Sequence, residues 1–241
     1  PKPSAVAAIA ESDVVFRSGG DVDAWLVPAV KASGENVEQV DLSRSAVLLP
    51  AVSDGDHHGD AAFNAHWYLA PENVVRAAVR VRDELIKLDP DARETFRANA
   101  SAYIRRAQLL QRTLERCSSK IPSSDRRLMA GHNDFNYLAD AIDYEIAAQL
   151  AENGESEPSA SDLQQAVDDA RAADVRALVT SRGEVTALAE QTASKLDIPL
   201  LQLWADSLAE TGRSATLLGA ISDDAVEIFA ATGGSKCPAA N

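Results

Sequence analysis

Apolar positions along this chain switch repeatedly between helical spacing and short continuous runs. "SAVAAIAES" predicts a helix with Ser4 as its N-cap, and "DVVFRSGG" a strand closed by a glycine turn. "DVDAWLVPAVKAS" predicts a second helix, with Pro28 an irregularity at its centre, and "NVEQVDLS" a second strand. A polar segment around residues 53–63 interrupts the alternation. From Pro71 to Cys117 the spacing is helical throughout, with Pro71 suited to a first turn and Asp89-Pro90 expected to kink or divide the helix. Strands then return at "RRLMAGH", "EIAAQLA", "VRALVTS" and "PLLQLWA". Helices at "DFNYLADAIDY", "SASDLQQAVDDARAAD", "VTALAEQTASKLD" and "SATLLGAISDDAVEIFAATGG" fill the intervals.

Strands alternating with helices of this length imply parallel βαβ units. The expected fold is therefore α/β: two βα lobes with parallel sheets joined by a long rigid helix. The boundaries are residues 1–70 for the first lobe, 71–119 for the connector and 120–241 for the second lobe.

Composition narrows the function. Of 241 residues, 46% are hydrophobic but only 5% aromatic, so the core must be built mainly from Ala, Val, Leu and Ile. The formal net charge of −14 argues against nucleic acid as a partner, because phosphate neutralisation needs a basic face. No run reaches the roughly 18–20 apolar residues needed to cross a bilayer, and no basic region followed by an apolar stretch opens the sequence. The chain reads as a mature or trimmed form. Its two cysteines lack the spacing of a zinc or redox motif.

Candidate chemistry gathers on four histidines. In parallel α/β sheets ligands collect beyond the C-terminal ends of the strands. His132 ends "RRLMAGH" and Asp206 follows "PLLQLWA", which makes both candidate metal ligands, with a helix cap and a turn residue as the alternatives. His66 precedes Trp67 and Tyr68, a setting equally suited to a packed, hydrogen-bonded histidine. His57 and His58 lie among Asp54, Asp56 and Asp60 in "SDGDHHGD", which could hold metal loosely or be a plain solvated loop. There is no GxSxG elbow, no Walker sequence and no GxGxxG after a strand, so no enzyme class is indicated.

Five stretches, in order, resemble the solute-binding proteins of zinc and manganese ABC transporters over essentially the whole chain. They are "PSAVAAIAESDVVFRSGGDVDAWL", "NAHWYLAPENV", "GHNDFNYLADAIDYEI", "EPSASDL" and "LLQLWADSLAETG". Ala65 and Ala70 stand where that family has proline and aspartate, and Asn133 follows His132.

The resemblance implies metal ligation by His66, His132 and Asp206 in a cleft between lobes. It also makes the acidic histidine segment a mobile zinc-capturing loop. The expected function is that of an extracytoplasmic receptor, not an enzyme, periplasmic or lipid-anchored at the cell surface, delivering zinc to an ABC permease. Manganese is the less favoured metal, since it prefers harder oxygen donors than His132. The expected state is a monomer, with a metallochaperone as a further partner. A surface adhesin on the same fold and a zinc hydrolase are the alternatives.

The family also carries a βαβ segment ahead of the present start, ending in a histidine ligand. The first lobe is thus expected to lack that segment, and the fourth metal position to fall to water or, less favourably, to His57 or His58. An oxidising location further implies pairing of Cys117 with Cys237, with two free thiols as the alternative.

Overall fold

The computed structural model of the protein describes residues 3–20, 22–34, 37–50, 63–151, 159–183, 187–234 and 237. The expected α/β architecture is present. In the N-terminal part, α1 (Pro3–Ala10), β1 (Val14–Arg17), α2 (Leu26–Ser33) and β2 (Glu38–Asp41) form a two-stranded parallel sheet with the two helices packed together. Their small core is Ile9, Ala29 and Val30.

Local chemistry moves two boundaries. Ser4 lies inside α1 and is not its N-cap. The second helix starts only at Leu26, which puts Pro28 in its first turn, where a missing N–H costs nothing. The preceding residues form a turn instead, held by Asp23 accepting the amides of Ser18 and Gly19.

The long connector is not one rod. It is a hairpin of α3 (Pro71–Leu88) and α4 (Arg93–Ser118), which are in contact with each other. The break falls where the sequence placed it: Pro90 cannot donate, and Asp89 leaves the helical region at φ −132°, ψ 86°. The Asp89 side chain then accepts the amides of Asp91 and Ala92, at 3.1 and 3.2 Å, and closes the turn.

The C-terminal part is a four-stranded, all-parallel sheet in the order β4-β3-β5-β6, with β3 (Arg127–Ala130), β4 (Glu145–Gln149), β5 (Ala177–Ser181) and β6 (Leu200–Leu203). Its helices are α5 (Asn136–Ala141), α6 (Ala160–Ala173), α7 (Ala187–Leu196) and α8 (Leu217–Ala231). The period-two alternation of the strands splits the core. Leu128, Ala130, Ala177, Val179 and Leu203 pack with α4, α5 and α8, whereas Met129 and Leu178 face α6 and α7. Strand β5 is buried along its whole length, as a central parallel strand must be.

The first of these cores continues through Trp67, Leu69 and Val74 to Leu42 and Leu49, so apolar packing runs unbroken from the second sheet to the residues just after β2. Cys117, at the end of α4, is disulfide-bonded to Cys237 beyond α8, with Cα atoms 5.7 Å apart. Among the described residues no helix is long and apolar enough to cross a membrane.

Candidate metal centre

Three strand-end or helix-entry segments bring His66, His132 and Asp206 to one place. His66 immediately precedes the 3-10 turn Trp67–Leu69 that leads into α3. Asn64, 4% exposed, accepts the backbone amide of His66 at 3.0 Å, and its Oδ1 lies 2.9 Å from His66 Nδ1. An amide oxygen can only accept, so Nδ1 carries a proton and Nε2 is the nitrogen turned to the site, able to donate to Asp206 when it is protonated and to bind a metal when it is not.

The same asparagine donates through Nδ2 to the carbonyl of Asn133, next to His132, and its own carbonyl accepts the Tyr137 hydroxyl at 2.8 Å. One buried side chain thereby fixes the two histidine segments relative to each other. Trp67 adds a further tie, its indole N–H donating to the Ser18 carbonyl at 2.9 Å. Gly20, with φ +67°, lets this turn approach closely: a Cβ there would stand 2.8 Å from the Ala65 side chain.

His132 follows β3 after Gly131, whose amide bonds the Val179 carbonyl at 2.8 Å. A Cβ on Gly131 would stand 3.1 Å from the Thr180 side chain, so a larger residue would push the histidine segment off β5. Asp206 follows β6. There the amide of Trp204 is held by both oxygens of the buried Asp224, at 3.0 and 3.1 Å.

Two acid–imidazole pairs result. His66 Nε2 is 3.4 Å from Asp206 Oδ1, and His132 Nε2 is 3.5 Å from Asp134 Oδ2. Two donors bound to one tetrahedral zinc at its usual bond lengths lie about 3.4 Å apart, so each pair has the spacing of a shared ion. The imidazole centroids of His66 and His132 are 6.3 Å apart, roughly 1 Å more than one tetrahedral ion would allow. Among the described residues no three His, Cys, Asp or Glu side chains already converge on a single point.

Electrostatics distinguish the two acids. The hydrogen bond with His66 holds the Asp206 carboxyl below its ordinary range against the opposing effect of burial, and the Tyr68 hydroxyl, donating to Oδ1 at 2.9 Å, works the same way. Burial, and then the Asp206 charge, push the Tyr68 hydroxyl up, which keeps it a donor. Asp134 is pushed up to about 6 by burial, opposed first by His132 and then by the Ser181 hydroxyl.

The sequence offers His66, His132 and Asp206 as candidates, and the fold brings them near one another; the sequence did not single out Asn64, Tyr68 and Asp134, which lie beside them. For Asp134 a signal exists: an acid inside "HNDFNYLA" next to residues that must pack. The loop candidates Asp54, Asp56, His57, His58 and Asp60 lie outside the described residues. Its described flanks meet beside the site, where the Asn64 amide bonds the Leu49 carbonyl at 3.0 Å.

Known proteins share both sequence and fold with this chain. The manganese-binding lipoprotein MntA of Halalkalibacterium halodurans is 27% identical over 179 residues, which span 74% of this chain and 57% of that protein. The zinc-binding lipoprotein AdcA of Streptococcus pneumoniae is 30% identical over 174 residues, 68% of this chain and 34% of its own length. The chain thus spans from about a third to little more than half of these relatives. Among solved structures, FpvC of Pseudomonas aeruginosa in complex with Mn2+ superposes with a TM-score of 0.82 at 21% identity, over 97% of this chain and 84% of that one. ZnuA superposes at 0.79 with 24% identity, over 96% and 84%. The family model described as zinc-uptake complex component A, periplasmic, matches residues 1–231, in agreement with the resemblance carried by the five sequence stretches. The chain belongs to that family.

Proposed function

We propose that this chain is the metal-binding portion of an extracytoplasmic receptor that captures zinc and passes it to an ABC permease. The observation that carries the reading is the meeting of His66, His132 and Asp206, from three separate segments, with His66 Nε2 facing Asp206 Oδ1 at 3.4 Å. Asn64 supports the first donor in the way that metal-bound imidazoles are commonly supported, by taking the proton on the other ring nitrogen. Two imidazoles with carboxylate suit zinc, and manganese is the competing cargo because a relative is named for it. The family is one of binding receptors and not of enzymes. In this reading the His57–His58 segment collects zinc and passes it inward.

The test is metal analysis of protein purified without chelator, followed by direct competition between zinc and manganese. Zinc bound at one equivalent, and not displaced by equimolar manganese, is expected. Displacement of zinc by manganese would move the cargo assignment, and absence of either metal would overturn the receptor reading.

A further inference from the structure

Among the described residues, Asp134 is a buried carboxylate with no lysine or arginine paired to it. Its side chain is 0% exposed. Oδ1 accepts the Phe135 amide at 3.0 Å, and Oδ2 accepts the Ser181 hydroxyl at 2.5 Å. Among the described residues, the cationic groups acting on it are the imidazoles of His132 and His66. A buried charge of this kind is costly unless a counter-charge accompanies it.

The placement supplies the reason to keep it. Asp134 sits in the 3-10 turn Asn133–Phe135 directly after His132, and Ser181, at the end of β5, holds its Oδ2 toward His132 Nε2. At 3.5 Å that pair is long for a hydrogen bond but close to the roughly 3.4 Å between neighbouring donors on a tetrahedral ion. A carboxylate oxygen has two lone-pair sites, so Oδ2 can keep the Ser181 proton and still face a metal.

We propose that Asp134 is a further metal donor, its Oδ2 joining His66, His132 and Asp206 around the cargo ion. This rests on the receptor reading above. Two carboxylates with two neutral imidazoles balance the double charge of the ion, which is what a largely buried centre requires.

Cobalt(II) is the probe, because its visible absorption reports the donor set, with zinc affinity measured in parallel by chelator competition. Asp134→Asn should shift the cobalt bands and weaken zinc binding beyond the roughly 10–100-fold typical of removing a supporting residue. Metal-free Asp134→Asn should melt no lower than the wild type, since a buried charge has gone. Asp134→Ala, which offers no side-chain donor at all, should repeat the result. An unchanged cobalt spectrum in either folded variant overturns the ligand assignment while leaving the receptor reading intact. A wild type that binds neither cobalt nor zinc overturns both. A zinc-loaded structure of the wild type decides without any variant: a Zn–Oδ2 distance of about 2.0–2.2 Å is expected. Water at that position, with Oδ2 left to Ser181, overturns the assignment.

Discussion

Three of the four candidate donors are held by a neighbouring side chain: Asn64 sets the tautomer of His66, Tyr68 holds Oδ1 of Asp206, and Ser181 aims Asp134. His132 is the candidate donor with least redundancy, since it is the histidine that follows a strand of the second sheet. Replacing it with alanine should weaken zinc binding at least tenfold, about 1.4 kcal/mol, by calorimetry or competition. Unchanged affinity would remove His132 from the ligand set. The loop histidines should behave differently. His57→Ala with His58→Ala is expected to slow zinc uptake at limiting concentration in stopped-flow measurements and to leave equilibrium affinity nearly unaltered. A loss as large as that of His132→Ala would make the segment a ligand.

Elements contribute by where they end. Strands β3, β5 and β6 place Gly131, Ser181 and Trp204 on one edge, and Asp224 in α8 ties the last of these to the helix behind it. Asp224 is 1% exposed, and burial pushes its carboxyl up to about 8, against the pull of the Trp204 amide. With the folded value above the unfolded one, the native state holds the extra proton, so this group's stabilising contribution is present below pH about 4 and is lost as pH rises through 8. Asp224→Asn keeps an acceptor for the amide and loses the titration. Denaturant melts of metal-free protein should show the variant within about 1 kcal/mol of wild type at pH 5 and more stable than wild type at pH 9. Parallel curves at both pH values would show that Asp224 does not titrate in this range.

On the scale of the whole molecule, a continuous apolar core and one covalent bond oppose large rearrangement. The core passes from the second sheet through Trp67 and Leu69 to Leu42, and the α3–α4 hairpin packs across it. The Cys117–Cys237 bond closes a segment with a sequence separation of 120. In the chain-entropy account a loop of that size is worth about 4–5 kcal/mol. Cys117→Ser with Cys237→Ser should therefore lower the unfolding midpoint substantially while zinc affinity, measured well below that midpoint, stays close to wild type. Equal stability with and without reductant in the native protein would show that the bond contributes little.

The amino-acid pattern by itself determined the succession of helices and strands, the parallel α/β class, the break at Asp89-Pro90 and the three candidate donors at segment ends. Each of these is local: period, proline geometry, or position relative to a strand terminus. Tertiary structure decided what depends on residues far apart in the chain. It folded the connector back into a hairpin, whose two amphipathic helices contact each other and add Val74, Ala77, Ala107, Leu110 and Leu114 to the core beside the sheet. It brought Asn64 between two histidine segments and Tyr68 onto Asp206, pairings that span 69 and 138 positions. It also buried Asp134, which in sequence is one acid among 37 acidic residues and acquires its meaning only from the Ser181 hydroxyl and the imidazole it faces.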